Sequence, residues 1–256
     1  MTGSRQCVFC GEPRKLTRGH IFGDQLVEAL PPGKGDTPFL GKVYQMDDTG
    51  KQWVQLEHRE MPSSHEMPVR VICDPCNRVW MGGHETAVKA VLLNAQRRTT
   101  YRISRVQQET LASWIYIISI LSQYTSRAIL PVTPSEVRHS FRQTDRIPAG
   151  THMWLGRSAE LPWMQFGICH RLDPGLAEEH HQGLRRFIYV VIFGPFAVIL
   201  LEGRHLDSIT TSISSLPLLF SASGHPARRD QSSGHRLLRA WPPSTWTAFG
   251  GWLPSD

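Results

Sequence analysis

Hydrophobic spacing divides the chain into a short helical stretch, a long helical stretch and a run of strands. In "CNRVWMGGHETAVKAVLLNAQRR", residues 76–98, Leu, Val and Ala recur at helical intervals, with Gly82-Gly83 as a weak point near the start. "SRVQQETLASWIYIISILSQYTSRAIL", residues 104–130, predicts a longer and very apolar helix. Its interleaved Ser, Gln and Tyr suit a buried core helix better than a membrane segment. "TPSEVRHSFRQ" starts like a third helix, with Thr133 as N-cap, Pro134 in the first turn and Glu136 three residues after the cap. "THMWLG", "WMQFGICHRL", "RFIYVVIF" and "FAVILLEG" read as strands. The last two are pieces of one apolar run, 187–203, which Gly194-Pro195 splits into a buried hairpin.

Upstream, "FLGKVYQM" and "KQWVQLEH" flank the turn sequence "DDTG", a hairpin signal. "MPVRVIC" is a short extended run. Residues 1–24 read as turns and loops. Residues 221–235, "SASGHPARRDQSSGH", read as a mobile loop. The aromatic tail "RAWPPSTWTAFGGWLP" is expected to cover an edge or end of the sheet. No internal repeat is visible. The expected fold class is α+β: a zinc-binding module in residues 1–100, then an α+β domain with a small antiparallel sheet in residues 101–256.

Composition narrows the setting. With 256 residues and 40% apolar content the chain can build a sizeable core. The formal net charge is +6, and the sequence pI is near 9.3, which suits a polyanionic partner or a merely basic solvated surface. The opening "MTGSRQCVFC" lacks the apolar segment of a secretory leader, so a cytoplasmic protein that does not enter the membrane is expected.

Four of the five cysteines form two Cys-x-x-Cys pairs, Cys7/Cys10 and Cys73/Cys76. Two such pairs, with no leader, point to a closed structural zinc site rather than to disulfides. Gly11 follows the first pair as a sharp knuckle turn requires, and the second pair opens a helix. That is the arrangement of a treble-clef-like module, here with a long insertion between knuckle and helix. Cys169 stands alone and reads as a small buried hydrophobe.

"CVFCG…KLTRGHIFGDQL…VICDPCNRVWMGGHE" resembles the HNH endonuclease superfamily. The matching residues are Cys7, Cys10, Gly11, Leu16, Thr17, His20, Phe22, Cys73, Cys76, Asn77, Trp80, Met81 and Glu85. The resemblance implies a β-hairpin and a helix that clamp one divalent metal, on a scaffold braced by zinc. It implies hydrolysis of DNA phosphodiester bonds, with His20 as general base and Asn77 as a ligand of Mg²⁺ or Mn²⁺. The chemistry suits these residue types. An imidazole titrates near neutral pH and can activate water. An amide carbonyl is a hard oxygen ligand for such an ion.

Gly19 departs from the family pattern, which carries Asp or Glu there as the other metal ligand. Three readings stay open. Asn77, water and substrate phosphate hold the ion weakly; a neighbour such as Asp24, His84 or Glu85 substitutes; or the module is inactive and binds nucleic acid or a protein partner without cutting. His84 lies seven residues from Asn77, roughly 10 Å along a regular helix, so sharing an ion would need a bend at Gly82-Gly83. Arg14, Lys15, Arg18 and Arg78 flank the motif and can contact phosphate without reading sequence. Trp80 and Met81 are expected in the core. The second half offers a surface for a homodimer or a protein partner.

Overall fold

The computed structural model describes residues 6–23, 26, 39–46, 53–61, 68–96, 101–125, 131, 133–157, 167–171, 186–193, 196–202, 218–221 and 235–238. Mixed helices and small antiparallel sheets give an α+β protein. In chain order the strands and helices are β1 (Leu16–His20), β2 (Phe39–Met46), β3 (Trp53–Met61), β4 (Pro68–Cys73), a π-wound segment (Pro75–Met81) running into α1 (Gly82–Gln96), β5 (Tyr101–Ser104), α2 (Arg105–Ser122) and α3 (Ser135–Thr144). Six strands follow: β6 (Thr151–Arg157), β7 (Gly167–Arg171), β8 (Arg186–Phe193), β9 (Phe196–Glu202), β10 (Leu218–Ser221) and β11 (His235–Leu238).

α2 is the centre of the molecule. Ser104 caps it through a reciprocal pair: the Gln107 amide donates to the Ser104 hydroxyl at 3.3 Å, and the Ser104 amide donates to the Gln107 side chain at 2.9 Å. Every residue from Trp114 to Ser122 is buried. A helix apolar on nearly all sides must be enclosed on nearly all sides. α1 supplies Val88, Leu92 and Ala95 to the same core, and the sheet supplies Met153, Leu155, Tyr189, Val198 and Leu200. Each fully buried Leu or Ile contributes roughly 1.5–3 kcal/mol. Among the described residues no helix is long and apolar enough to cross a membrane.

The sheet has the order β10-β6-β9-β8-β7, all antiparallel. β8 and β9 pair from Phe193↔Phe196 to Phe187↔Glu202, the hairpin expected from the split apolar run. β2 and β3 pair antiparallel and form the insertion expected between the two cysteine pairs. β5 pairs with β11, a contact between distant segments that local pattern does not announce.

Two local expectations give way. Leu16–His20 is a strand, not a loop, because it pairs with β4 some fifty residues downstream: Leu16 faces Cys73, Thr17 faces Ile72 and Gly19 faces Val69. α3 begins after Pro134, which takes the N-cap position without a side-chain bond. Thr133 is taken instead by Gln123 at the end of α2. The Thr133 amide donates to Gln123 Oε1, and Gln123 Nε2 donates to the Thr133 hydroxyl, both at 3.0 Å. The tail beyond residue 238, the Gly194-Pro195 turn and residues 222–234 lie outside the described residues.

Candidate metal centre and hairpin–helix site

The first cysteine pair is held in a tight knuckle. The Gly11 amide donates to the Cys7 carbonyl at 2.9 Å, the Cys7 amide donates to the Glu12 carbonyl at 3.0 Å, and Gln6 bridges Pro13. Gly11 has φ +73°, in the left-handed region where a side chain is strained. The Val8 amide donates to the Val71 carbonyl at 2.9 Å, which fastens the knuckle to β4. Cys73 ends that strand and Cys76 lies in the π-wound segment, so the second pair spans the strand-to-helix corner.

The four sulfurs lie within 4.8 Å of one another, and Cys10 Sγ is 3.7 Å from Cys73 Sγ. A tetrahedron with metal–sulfur bonds of ~2.3 Å has edges of ~3.8 Å, so this donor set suits a metal such as zinc. The neighbouring Cys76 thiol draws the Cys7 pKa from 9.0 down to about 4; the same neighbour, with burial, pushes Cys76 up. Burial also raises Cys73. The Cys73 amide donates to Cys7 Sγ at 3.4 Å.

Next to this centre, β1, β4 and the helix make a second corner. The Thr17 hydroxyl donates to the Ile72 carbonyl at 3.1 Å and accepts from Asn77 Nδ2 at 3.3 Å. With Nδ2 turned to Thr17, Asn77 Oδ1 faces Gly19: a β-carbon on Gly19 would lie 3.2 Å from that oxygen and 3.3 Å from Ile72 Cδ1. His20 is the last residue of β1, half-buried, opposite Pro68. Beyond it the chain enters the core through Ile21 and Phe22, and the Phe22 ring meets Trp114 edge-on at 6.0 Å. Strand pairing and this anchor fix the backbone on both sides of His20.

Of the three neighbours that one open reading has replace a carboxylate at position 19, Glu85 and His84 are engaged elsewhere. Glu85 accepts a hydrogen bond from the Gly23 amide at 3.0 Å and ties the chain after β1 to α1. His84 is turned toward the end of α3, with Nε2 3.3 Å from Asp145 Oδ1, and its ring is edge-on to Trp80 at 5.3 Å. The helical backbone runs on through Gly82, and the His84 side chain is engaged by Asp145. Asp24 lies outside the described residues. Trp80 and Met81 are core residues as expected, at 9% and 2% exposure, and Trp80 Nε1 donates to Asp145 Oδ1 at 2.8 Å.

Arg14, Lys15, Arg18 and Arg78 are all exposed. Arg78 pairs with Asp74 at 2.9 Å, an exposed pair of small energetic weight that a phosphate could displace. Arg70 was not among the expected basic residues. It is exposed on β4, where the alternation of "PVRVIC" sets Val69 inward and Arg70 outward; that alternation is the signal that could have found it. Also unforeseen is the packing of α3 on the cysteine knuckle, where Arg138 Nε donates to the Val8 carbonyl at 3.0 Å and the His139 ring lies against Gly11. Comparison with family models, curated proteins and solved structures gives no match for this chain.

Proposed function

We propose that this chain is a DNA-hydrolysing nuclease of the HNH type, built on a treble-clef zinc module. The observation that supports it is the orientation of Asn77. The Ile72–Thr17–Asn77 hydrogen-bond chain turns a hard oxygen ligand toward the backbone of residue 19, beside His20. Cys7, Cys10, Cys73 and Cys76 hold zinc as a brace. Asn77 Oδ1 is the protein ligand for Mg²⁺ or Mn²⁺, and such an ion supplies stabilisation of charge on the phosphate and the departing oxygen. His20 takes the proton from the attacking water. Arg14, Lys15, Arg18, Arg70 and Arg78 supply sequence-independent contacts to the DNA backbone.

A second reading is a nucleic-acid-binding protein on the same scaffold that does not cut. It is favoured by Gly19, which has no ligand atom, and by the engagement of His84 and Glu85 elsewhere. Supercoiled plasmid incubated with Mg²⁺ or Mn²⁺ separates the two. Nicking by the wild type that disappears in His20→Ala supports the nuclease. No nicking by the wild type, with DNA retarded on a gel and released steeply by salt, supports the binding protein.

A further inference from the structure

Two large apolar side chains stand exposed among the described residues, Val79 at 75% and Val106 at 70%. Scattered singly, such residues need no explanation. These two, one from the π-wound segment and one from the first turn of α2, line the same open cleft of about 470 Å³. Trp80 and His84 line it as well. So do two carboxylates, Glu109 of α2 and Asp145 at the end of α3, whereas no lysine or arginine does. Asp145 is an unusual choice for its place. Its φ of 52° is left-handed, the one such case outside glycine among the described residues, and a helix cap of this shape favours Gly or Asn. Its carboxylate also sits at the negative end of α3, where the helix dipole opposes it. The Trp80 indole N–H and His84 hold it there, and it is exposed. Glu109 is exposed too. Its partner Arg105, one turn earlier on α2, is equally exposed, and such a pair yields to another cation at little cost. A second arginine, Arg142, lies over the Trp80 ring, with its guanidinium carbon 4.9 Å from the ring centre.

We propose that this cleft docks a protein partner through a segment that combines apolar and basic side chains. The two valines and the Trp80 indole offer apolar surface to a side chain such as leucine. The two carboxylates and the negative end of α3 favour a lysine or arginine beside it and oppose an acidic residue. The chain as a whole works the other way. At a net charge of +6 it repels a cationic peptide, so attraction at the cleft is a local property of these residues. None of the cleft residues belongs to the cysteine cluster or to the Thr17–Asn77 corner, so this surface stands apart from the proposed nuclease chemistry.

The test titrates the full chain into a fluorescein-labelled peptide of alternating leucine and arginine, read by fluorescence anisotropy at physiological salt. Micromolar binding is expected. The Trp80 indole N–H resonance, identified by its loss in Trp80→Phe, should shift with this peptide and stay in place with a peptide of alternating leucine and glutamate. Val106→Ser and Asp145→Asn should each weaken binding by about fivefold or more. Val106 is exposed, so serine leaves the core intact. Asparagine tolerates the left-handed backbone and can still accept the Trp80 N–H. If Asp145→Asn does not fold, Glu109→Gln on the exposed face of α2 is read in its place. No binding by the wild type overturns the proposal, as does binding that these substitutions leave unchanged. A Trp80 shift caused by the acidic peptide also overturns it. So does self-association of the wild type that Val106→Ser abolishes, which makes a second copy the occupant. The outcome of plasmid cleavage bears on none of these readouts.

Discussion

Asn77 Oδ1 faces Gly19 so closely that a β-carbon there would stand 3.2 Å from it. Two segments far apart in sequence thus meet at one corner: a strand end with no side chain to offer, and a helix residue whose oxygen is aimed by Thr17. The backbone at Gly19 is not left-handed, so a side chain is compatible with its conformation.

A carboxylate at position 19 is therefore expected to complete the ligand set. Gly19→Glu should tighten Mn²⁺ binding by about tenfold or more, read from the loss of the free-ion resonance signal on titration, at the cost of a shift of a few tenths of an ångström in Asn77. Asn77→Ala added to Gly19→Glu should remove most of that gain. Equal Mn²⁺ affinity in the wild type and Gly19→Glu would mean that the corner does not bind divalent ions.

The proposed zinc brace makes a separate prediction. Purified protein should carry about one zinc per chain by atomic absorption, as expected for one closed four-ligand site. Cys73→Ser should lose it and unfold at much lower denaturant, because metal binding free energy at such sites is folding free energy. A chelator should reproduce the loss in the wild type. A folded, fully stable protein free of zinc would refute the brace.

The Gly23–Glu85 contact predicts a coupled pair. A β-carbon at Gly23 would overlap the Glu85 carboxylate, only 2.0 Å from Oε2, so Gly23→Ala must push that group off its hydrogen bond. A hydrogen bond to a charged acceptor is worth about 1.5–3 kcal/mol, and Gly23→Ala should cost that order in a denaturant melt. In the background of Glu85→Ala the same substitution should cost far less. Additive losses would show that the two residues act independently.

Tyr189 predicts an alkaline limit. Burial raises its phenol pKa well above the ordinary 10.0, so the folded state keeps the proton after the unfolded chain has lost it. The contribution to stability is then complete below about pH 10 and falls as pH rises past it, by at most about 1.4 kcal/mol per pH unit. Tyr189→Phe should flatten the fall in unfolding free energy measured from pH 9 to pH 11, a range chosen around the unfolded phenol pKa of about 10. An unchanged slope would place the alkaline sensitivity elsewhere.

The strongest periodic signals were legible without coordinates. α2 follows from its long apolar run, though its Ser104/Gln107 cap was not read from the sequence, and the β8–β9 hairpin follows from one apolar run cut at a turn. The candidate cysteine site was legible too, because pairs at fixed spacing declare a common target whatever lies between them. β1 was not legible from its own residues. "LTRGH" has no alternation of its own, and its extended form depends on β4. Thr133 misled for a related reason: Gln123 competes for it and wins, and no local rule includes that partner.

Sequence alone determined the inventory: which residues can ligate, which can titrate, and which stretches must be buried. Those properties belong to side-chain chemistry and to periodicity along a single element. Only the tertiary structure decided which of them meet. It brought the four sulfurs together, turned Asn77 toward an empty position 19 through Thr17, and sent His84 to Asp145 instead. It also laid the Arg142 guanidinium over the Trp80 ring. Such encounters depend on strand register and helix packing across tens of residues, where contact geometry, not local preference, sets the outcome.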